Sequence, residues 1–302
     1  MKPKFRNSAR GLLGATVITS LAALSAHAQI APNSPTINWN AVLYSTNNPT
    51  TPDPFTDQQT GSKESDIVGT SSVASFYTRF FDAGTPALTD GQIAFRLRLA
   101  EEQNPPGFSG AAFVGIDANA DGKLDLFVGV DNSGSAAHVG LWQAGTGLNV
   151  SPSTTSIQSP ASISYAETSL NYSWTPVNAT IDPTTLTYDV DSGGRTDHFL
   201  SFVLPFADLV AMFSTVGIQN VNENTIFSYV AATATQDNSL NQDLNGVNGG
   251  VNSSQTWQQL GAMTQPTGAN GMSPVPEPST YALMLVGSGM MLFAKRGQRK
   301  RA

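Results

Sequence analysis

Apolar and polar positions alternate along the middle of the chain. Val73, Ser75, Tyr77 and Arg79 interleave with Ala74, Phe76, Thr78 and Phe80, and Ile93, Phe95, Leu97 and Leu99 alternate with Ala94, Arg96 and Arg98. A period of two sets one row on a core face and the other toward water, which places Arg96 and Arg98 on the wet side of their strand. Further short apolar runs at 112–116, 124–130, 137–143, 163–174, 185–190, 199–204 and 225–232 are divided by Gly, Pro, Asp and Asn. Many short strands with turns between them predict an all-β fold, an antiparallel β-sandwich of jelly-roll type, rather than βαβ units.

A helical period occurs once in the body. Phe206, Leu209, Val210 and Phe213 fall at i, i+3, i+4 and i+7, with Pro205 at the start and Gly217 past the end. This predicts one short amphipathic helix over an end of the sandwich. Residues 29–72 are rich in Pro, Asn, Thr and Ser and read as a loose N-terminal arm with one early strand in 37–44. The body then runs over 73–235. Residues 236–274, rich in Asn, Gln and Gly, read as a loop leading into a flexible stalk.

Charge changes the picture at the two ends. Of the 15 Lys and Arg among 302 residues, nine are terminal: Lys2, Lys4, Arg6, Arg10, Lys295, Arg296, Arg299, Lys300 and Arg301. Residues 29–276 hold six cations against 21 acids and carry −15, a surface that repels nucleic acid and anionic lipid and attracts cations. The chain has no cysteine, which excludes disulfides, thiolate metal sites and a cysteine nucleophile. The first 28 residues have the order of a secretory signal peptide: basic start, uncharged run from Gly11 to Ser25, then Ala26-His27-Ala28. Small residues at −3 and −1 fit signal peptidase, so the mature chain is expected to begin at Gln29 after cleavage behind Ala28.

At the other end, residues 273–279 (Ser-Pro-Val-Pro-Glu-Pro-Ser) precede an apolar run at 280–294 and then a basic tail. A helix there starts after Pro278. Fifteen residues at 1.5 Å each give about 22 Å, short of a hydrocarbon core of about 30 Å unless the flanking Lys295 and Arg296 snorkel or the bilayer thins. As a transmembrane helix it would leave its basic tail cytoplasmic. This tripartite segment, 275–302, with Pro276, Glu277 and Pro278 at its head, resembles the PEP-CTERM sorting signal of Gram-negative bacteria. The resemblance is confined to about the last thirty residues. It implies processing by an exosortase, a membrane transpeptidase-like enzyme that cuts near Pro-Glu-Pro, with the helix as a transient tether. The body would then be handed to the cell envelope, cell surface or extracellular matrix.

The sharpest local motif in the body is Asp117-Ala-Asn119-Ala-Asp121-Gly122-Lys123-Leu-Asp125. It matches the opening of a calcium loop: oxygens of Asp117, Asn119 and Asp121 alternate, Gly122 permits the turn, Lys123 offers a carbonyl and Asp125 stands at position nine. Val128 replaces the bidentate Glu of position twelve, and Asp131 is the available substitute. The alternative is an Asx-rich hairpin turn whose side chains cap backbone N–H groups without Ca2+. Two weaker echoes, Asp189-Val-Asp191-Ser-Gly-Gly-Arg195-Thr-Asp197 and Asn241-Gln-Asp243-Leu-Asn245-Gly246, read as polar turns.

Catalytic signatures are missing from the body. His138 and His198 stand in no nucleophile elbow or metalloprotease helix, and nothing fixes the separation of Glu101, Glu102 and Glu167 as a glycosidase pair. Trp142, Tyr165, Tyr172, Trp174 and Trp257 could stack on sugars if exposed, or fill a core. The expectation is an exported, non-catalytic surface or matrix protein. A calcium-assisted module for extracellular polysaccharide is the alternative, with a secreted glycosidase more distant.

Overall fold

The computed structural model describes residues 29–42, 53–60, 62–82, 91–102 and 107–269; the expected signal segment and the 275–302 sorting segment lie outside the described residues. Among the described residues no helix is long and apolar enough to cross a membrane. Twelve strands form two antiparallel sheets packed as a sandwich. One sheet has the order β1 (Asn40–Ala41), β2 (Phe76–Phe81), β3 (Gln92–Leu99), β9 (His198–Pro205), β8 (Tyr172–Pro176). The other has β11 (Asp243–Leu244), β10 (Ile226–Ala234), β4 (Ala111–Asp117), β5 (Leu126–Asp131), β6 (His138–Gln143), β7 (Ile163–Ala166), with β12 (Thr267–Gly268) also paired to β10. The expected run at 163–174 is two strands in different sheets, because the turn at Thr168–Asn171 carries the chain across the sandwich. The expected strand at 185–190 does not form: Asp182 accepts from the Thr184 and Thr185 hydroxyls, and Leu186 takes a positive φ of 54°.

The main core lies between the sheets. Phe76, Phe95, Leu97, Leu99, Leu200 and Phe202 meet Val114, Ile116, Val128, Leu141, Phe227 and Tyr229 there. Helix α1 (Phe206–Thr215) closes one end with Phe206, Leu209, Met212 and Phe213 buried. Gly217, at φ 87°, ends it as the sequence predicts, since only glycine adopts that backbone without strain. β4 and β5 pack so closely that a Cβ at Gly129 would sit 2.1 Å from the Ala112 carbonyl oxygen.

Both outer faces are covered as well, and here alternation misleads. The far face of the first sheet, through Tyr77, Ala94, Phe199 and Val203, packs against Ile30, Trp39 and Val177. Arg96 and Arg98 are therefore fully buried, not wet. Arg96 donates to the Ser201 hydroxyl at 2.8 Å and to the Pro32 and Ser34 carbonyls at 2.7 Å, and its guanidinium lies 4.2 Å from the Trp39 ring centre. Arg98 donates to Asp182 at 2.6 Å and to Asp197 at 2.7 Å. The far face of the second sheet, with Phe113, Phe127 and Trp142, is covered by Leu240, Leu244, Val247, Val251 and Trp257. The expected loop and stalk is thus, over 236–269, a packed layer. Its helix α2 (Trp257–Leu260) is held by a capping box between Thr256 and Gln259, and Trp257 donates its indole N–H to the Asn149 carbonyl at 2.9 Å.

Candidate functional site

The hairpin between β4 and β5 holds the five residues singled out by the calcium-loop pattern. Asp117 closes β4 and is buried; its Oδ1 accepts from the Asn119 and Ala120 N–H groups at 3.2 and 2.8 Å, and its Oδ2 from Gly122 at 2.9 Å. Asn119 accepts from the Asp121 N–H, Asp121 from the Lys123 N–H, and Asp125 from the Ala118 N–H, at 3.0, 2.9 and 2.9 Å. Lys123 Nζ stands 3.2 Å from Asp121 Oδ2. The alternating oxygens thus form a ladder of Asx turns around Gly122 at φ 81°. Burial pushes the Asp125 carboxyl up to about 6, with the Asp117 and Asp121 charges adding to it. Asp131 does not complete the loop. It pairs with Ala111 at the other end of the same two strands and accepts from the Ser133 N–H instead.

Two sets of carboxylates elsewhere converge more closely. Asp189, Asp191 and Asp197 bring one oxygen each within 4.8 Å of one another, as do Asp57, Asp66 and Asp243. The first set lies on one weak echo of the loop pattern and already has counter-charges: Arg98 at 2.7 Å from Asp197 and Lys63 at 3.9 Å from Asp191. Gly193 and Gly194 donate their N–H groups to Asp189, which closes that turn. The second set takes Asp243 from the other echo and the rest from residues that sequence reasoning passed over. Asp57 and Asp66 belong to a turn-rich segment whose acids have no metal-loop spacing. Only the fold brings them to β11.

The remaining candidates are held by structural partners. His198 stacks on Trp174 with ring centres 4.8 Å apart, and burial lowers its pKa, while the Glu102 carboxylate 3.8 Å away pulls in the other direction. His138 Nδ1 is 2.9 Å from the Ala136 carbonyl. Glu101 lies 3.8 Å from both Lys63 and Arg195, and Glu102 accepts from the Trp174 indole at 3.1 Å. Burial pushes the Glu167 carboxyl up to about 7. Of the aromatics, Trp142 and Trp257 are fully buried, and Tyr165, Tyr172 and Trp174 pack against the main core.

Comparison with known proteins bears on the end of the chain. No curated protein and no solved structure matches it. The PEP-CTERM protein-sorting motif matches residues 274–300, so the chain ends in the sorting signal that marks exported, exosortase-processed proteins.

Proposed function

We propose that this chain is a non-catalytic display domain of the cell surface or extracellular matrix, exported and then released or re-attached by an exosortase. The observation that carries this reading is the sorting motif at 274–300, which begins five residues after the last described residue of the folded body, Ala269. Trp142 and Trp257 are buried and Tyr165, Tyr172 and Trp174 are half-buried against the main core, which supports a reading without an exposed sugar-stacking strip. The acidic body adds a surface that phosphate-rich partners avoid. Mass spectrometry of the protein recovered from its producing cell tests the proposal. A first residue at Gln29 and loss of the segment beyond Pro278 are expected; an envelope protein still ending in Arg301 and Ala302 rejects exosortase processing.

A further inference from the structure

We propose that Asp57, Asp66 and Asp243, with Asp53 beside them, hold a calcium ion that clamps the 53–66 segment onto β11 and the turn after it. Asp53 and Asp57 lie on the loop at 53–60, Asp66 follows the 3-10 turn Lys63–Ser65, and Asp243 opens β11. Backbone donors fix each carboxylate. Asp53 Oδ1 accepts from Gly246 and Asp57 Oδ2 from Gly249, both at 2.6 Å; Asp66 Oδ2 accepts from Thr56 at 2.9 Å. Asp243 accepts from Ile67 at 2.7 Å and from Leu244 at 2.8 Å.

What these bonds leave over points to a cation. Oδ2 of Asp53, Oδ1 of Asp57 and Oδ1 of Asp66 are buried and accept no hydrogen bond, although Asp53 is 1% exposed and Asp66 and Asp243 are 0% exposed. An orphaned carboxylate oxygen in an interior is costly unless a cation or donor meets it. None of the ion pairs among the described residues involves any of the four acids. The contrast with the neighbouring trio is direct: where Asp189, Asp191 and Asp197 converge, the fold supplies Arg98 and Lys63, and here it supplies neither. Burial and mutual repulsion raise the carboxyl pKa values of Asp53 and Asp243, the cost of leaving the charges uncompensated.

Donor chemistry narrows the choice of ion, and the reach of one ion is consistent with it. Ligands around one ion stand at most twice the metal–oxygen distance apart, roughly 4.6–5.2 Å for calcium at 2.3–2.6 Å and roughly 4.2 Å for magnesium at 2.1 Å. Oxygens of Asp57, Asp66 and Asp243 lie within 4.8 Å of one another, inside the reach of one calcium ion. A donor set of carboxylates without imidazole or thiolate suits a hard cation rather than zinc. Three acidic groups on segments distant in sequence would make the ion a clamp between the arm and the C-terminal layer.

Equilibrium dialysis of the full chain, stripped with chelator and returned to about 1 mM calcium near pH 7.5, is the test; that concentration suits an extracellular module. One ion retained per chain is expected. Asp66→Asn and Asp57→Asn should each weaken retention by about tenfold or more, for loss of one anionic ligand, whereas Asp121→Ala should leave this ion in place. Terbium-soaked crystals of the wild type locate the ion independently of how the variants fold, with an anomalous peak expected among Asp57, Asp66 and Asp243. Wild type that binds no calcium at about ten times that concentration, a peak absent from the cluster, or uptake lost in Asp121→Ala but kept in Asp66→Asn overturns the proposal. Such failure would leave the exosortase reading untouched, since that reading rests on the chain terminus.

Discussion

Arg98→Met should be among the most damaging single substitutions in the body. The guanidinium donates to Asp182 at 2.6 Å, to Asp197 at 2.7 Å and to the Thr187 carbonyl at 3.1 Å, and all three charged side chains are 0% exposed. Methionine keeps much of the volume and removes the charge, leaving two carboxylates inside without a cation. Breaking a buried pair in this way costs about 3–5 kcal/mol. That is a large part of a domain stability of about 5–15 kcal/mol. The two acids are not equivalent. Burial would raise Asp182, but the Thr184 and Thr185 hydroxyls, Arg98 and Thr36 more than offset it and hold it below its usual value, so it is the lasting counter-charge. Burial pushes Asp197 up to about 7 against the pull of Arg98. Urea unfolding near neutral pH should therefore show a loss of about 4 kcal/mol for Arg98→Met. The triple variant Arg98→Met, Asp182→Asn, Asp197→Asn should recover most of it, because no charge is then stranded. A single-variant loss under about 1 kcal/mol, or a triple variant weaker than the single, would refute the reasoning.

Other outcomes follow from packing and charge. Trp257→Ala should cost about 3–5 kcal/mol in the same assay, since the indole is fully buried and its N–H is bonded to Asn149. His198 is a base whose folded pKa is lowered by burial, so the unfolded chain binds the extra proton: its contribution to stability is present above about pH 6.5 and is lost as pH falls below it. His198→Phe, which retains a ring against Trp174, should flatten the difference in melting temperature between pH 8 and pH 5.5 that wild type shows at this site; an identical pH profile for both would contradict it. With six cations spread through residues 29–276, the body should not be retained on DNA at physiological salt, and salt-sensitive retention in a mobility-shift assay would sink that expectation.

The sandwich was legible because period-two alternation and turn residues are local signals. β3 lies at 92–99 against an expected row at 93–99, and α1 begins and ends where Pro205 and Gly217 place it. What alternation cannot report is whether a polar face meets water or another layer. Arg96 and Arg98 satisfied the pattern of an exposed row, yet their partners, Pro32, Ser34, Asp182 and Asp197, come from segments without periodicity. The same holds for the C-terminal layer. Its Asn, Gln and Gly content suggests a solvated stalk, while Leu240, Leu244, Val247 and Val251 stand at a helical spacing that the Asn and Gly residues between them do not support, and with Trp257 they form a face in space without a helix. The site divides likewise. The Asp117–Asp125 spacing is readable as a turn rich in side-chain oxygens, and the turn forms; Asp53, Asp57 and Asp66 meet Asp243 only through tertiary contact across roughly 180 residues.

The pairing of β12 with β10 fixes the end of the body from which the chain continues toward the sorting motif. Gly268 stands opposite Ile226, and Ala269 donates its N–H to the Thr225 carbonyl at 2.9 Å. Pro276 is seven residues further on, a reach of at most about 25 Å for extended chain. On the proposed route, cleavage at the motif would take place within that distance of the folded body, whose near end includes the Asp117 hairpin, since Asp117 pairs with Ser228 near the same end of β10. Asp243 lies opposite Thr233, seven residues along the strand and so about 24 Å away. The buried acidic cluster thus sits toward the opposite end of β10. On the proposed route, a body tethered at its C-terminus would hold that end away from the tether, open to dissolved cations.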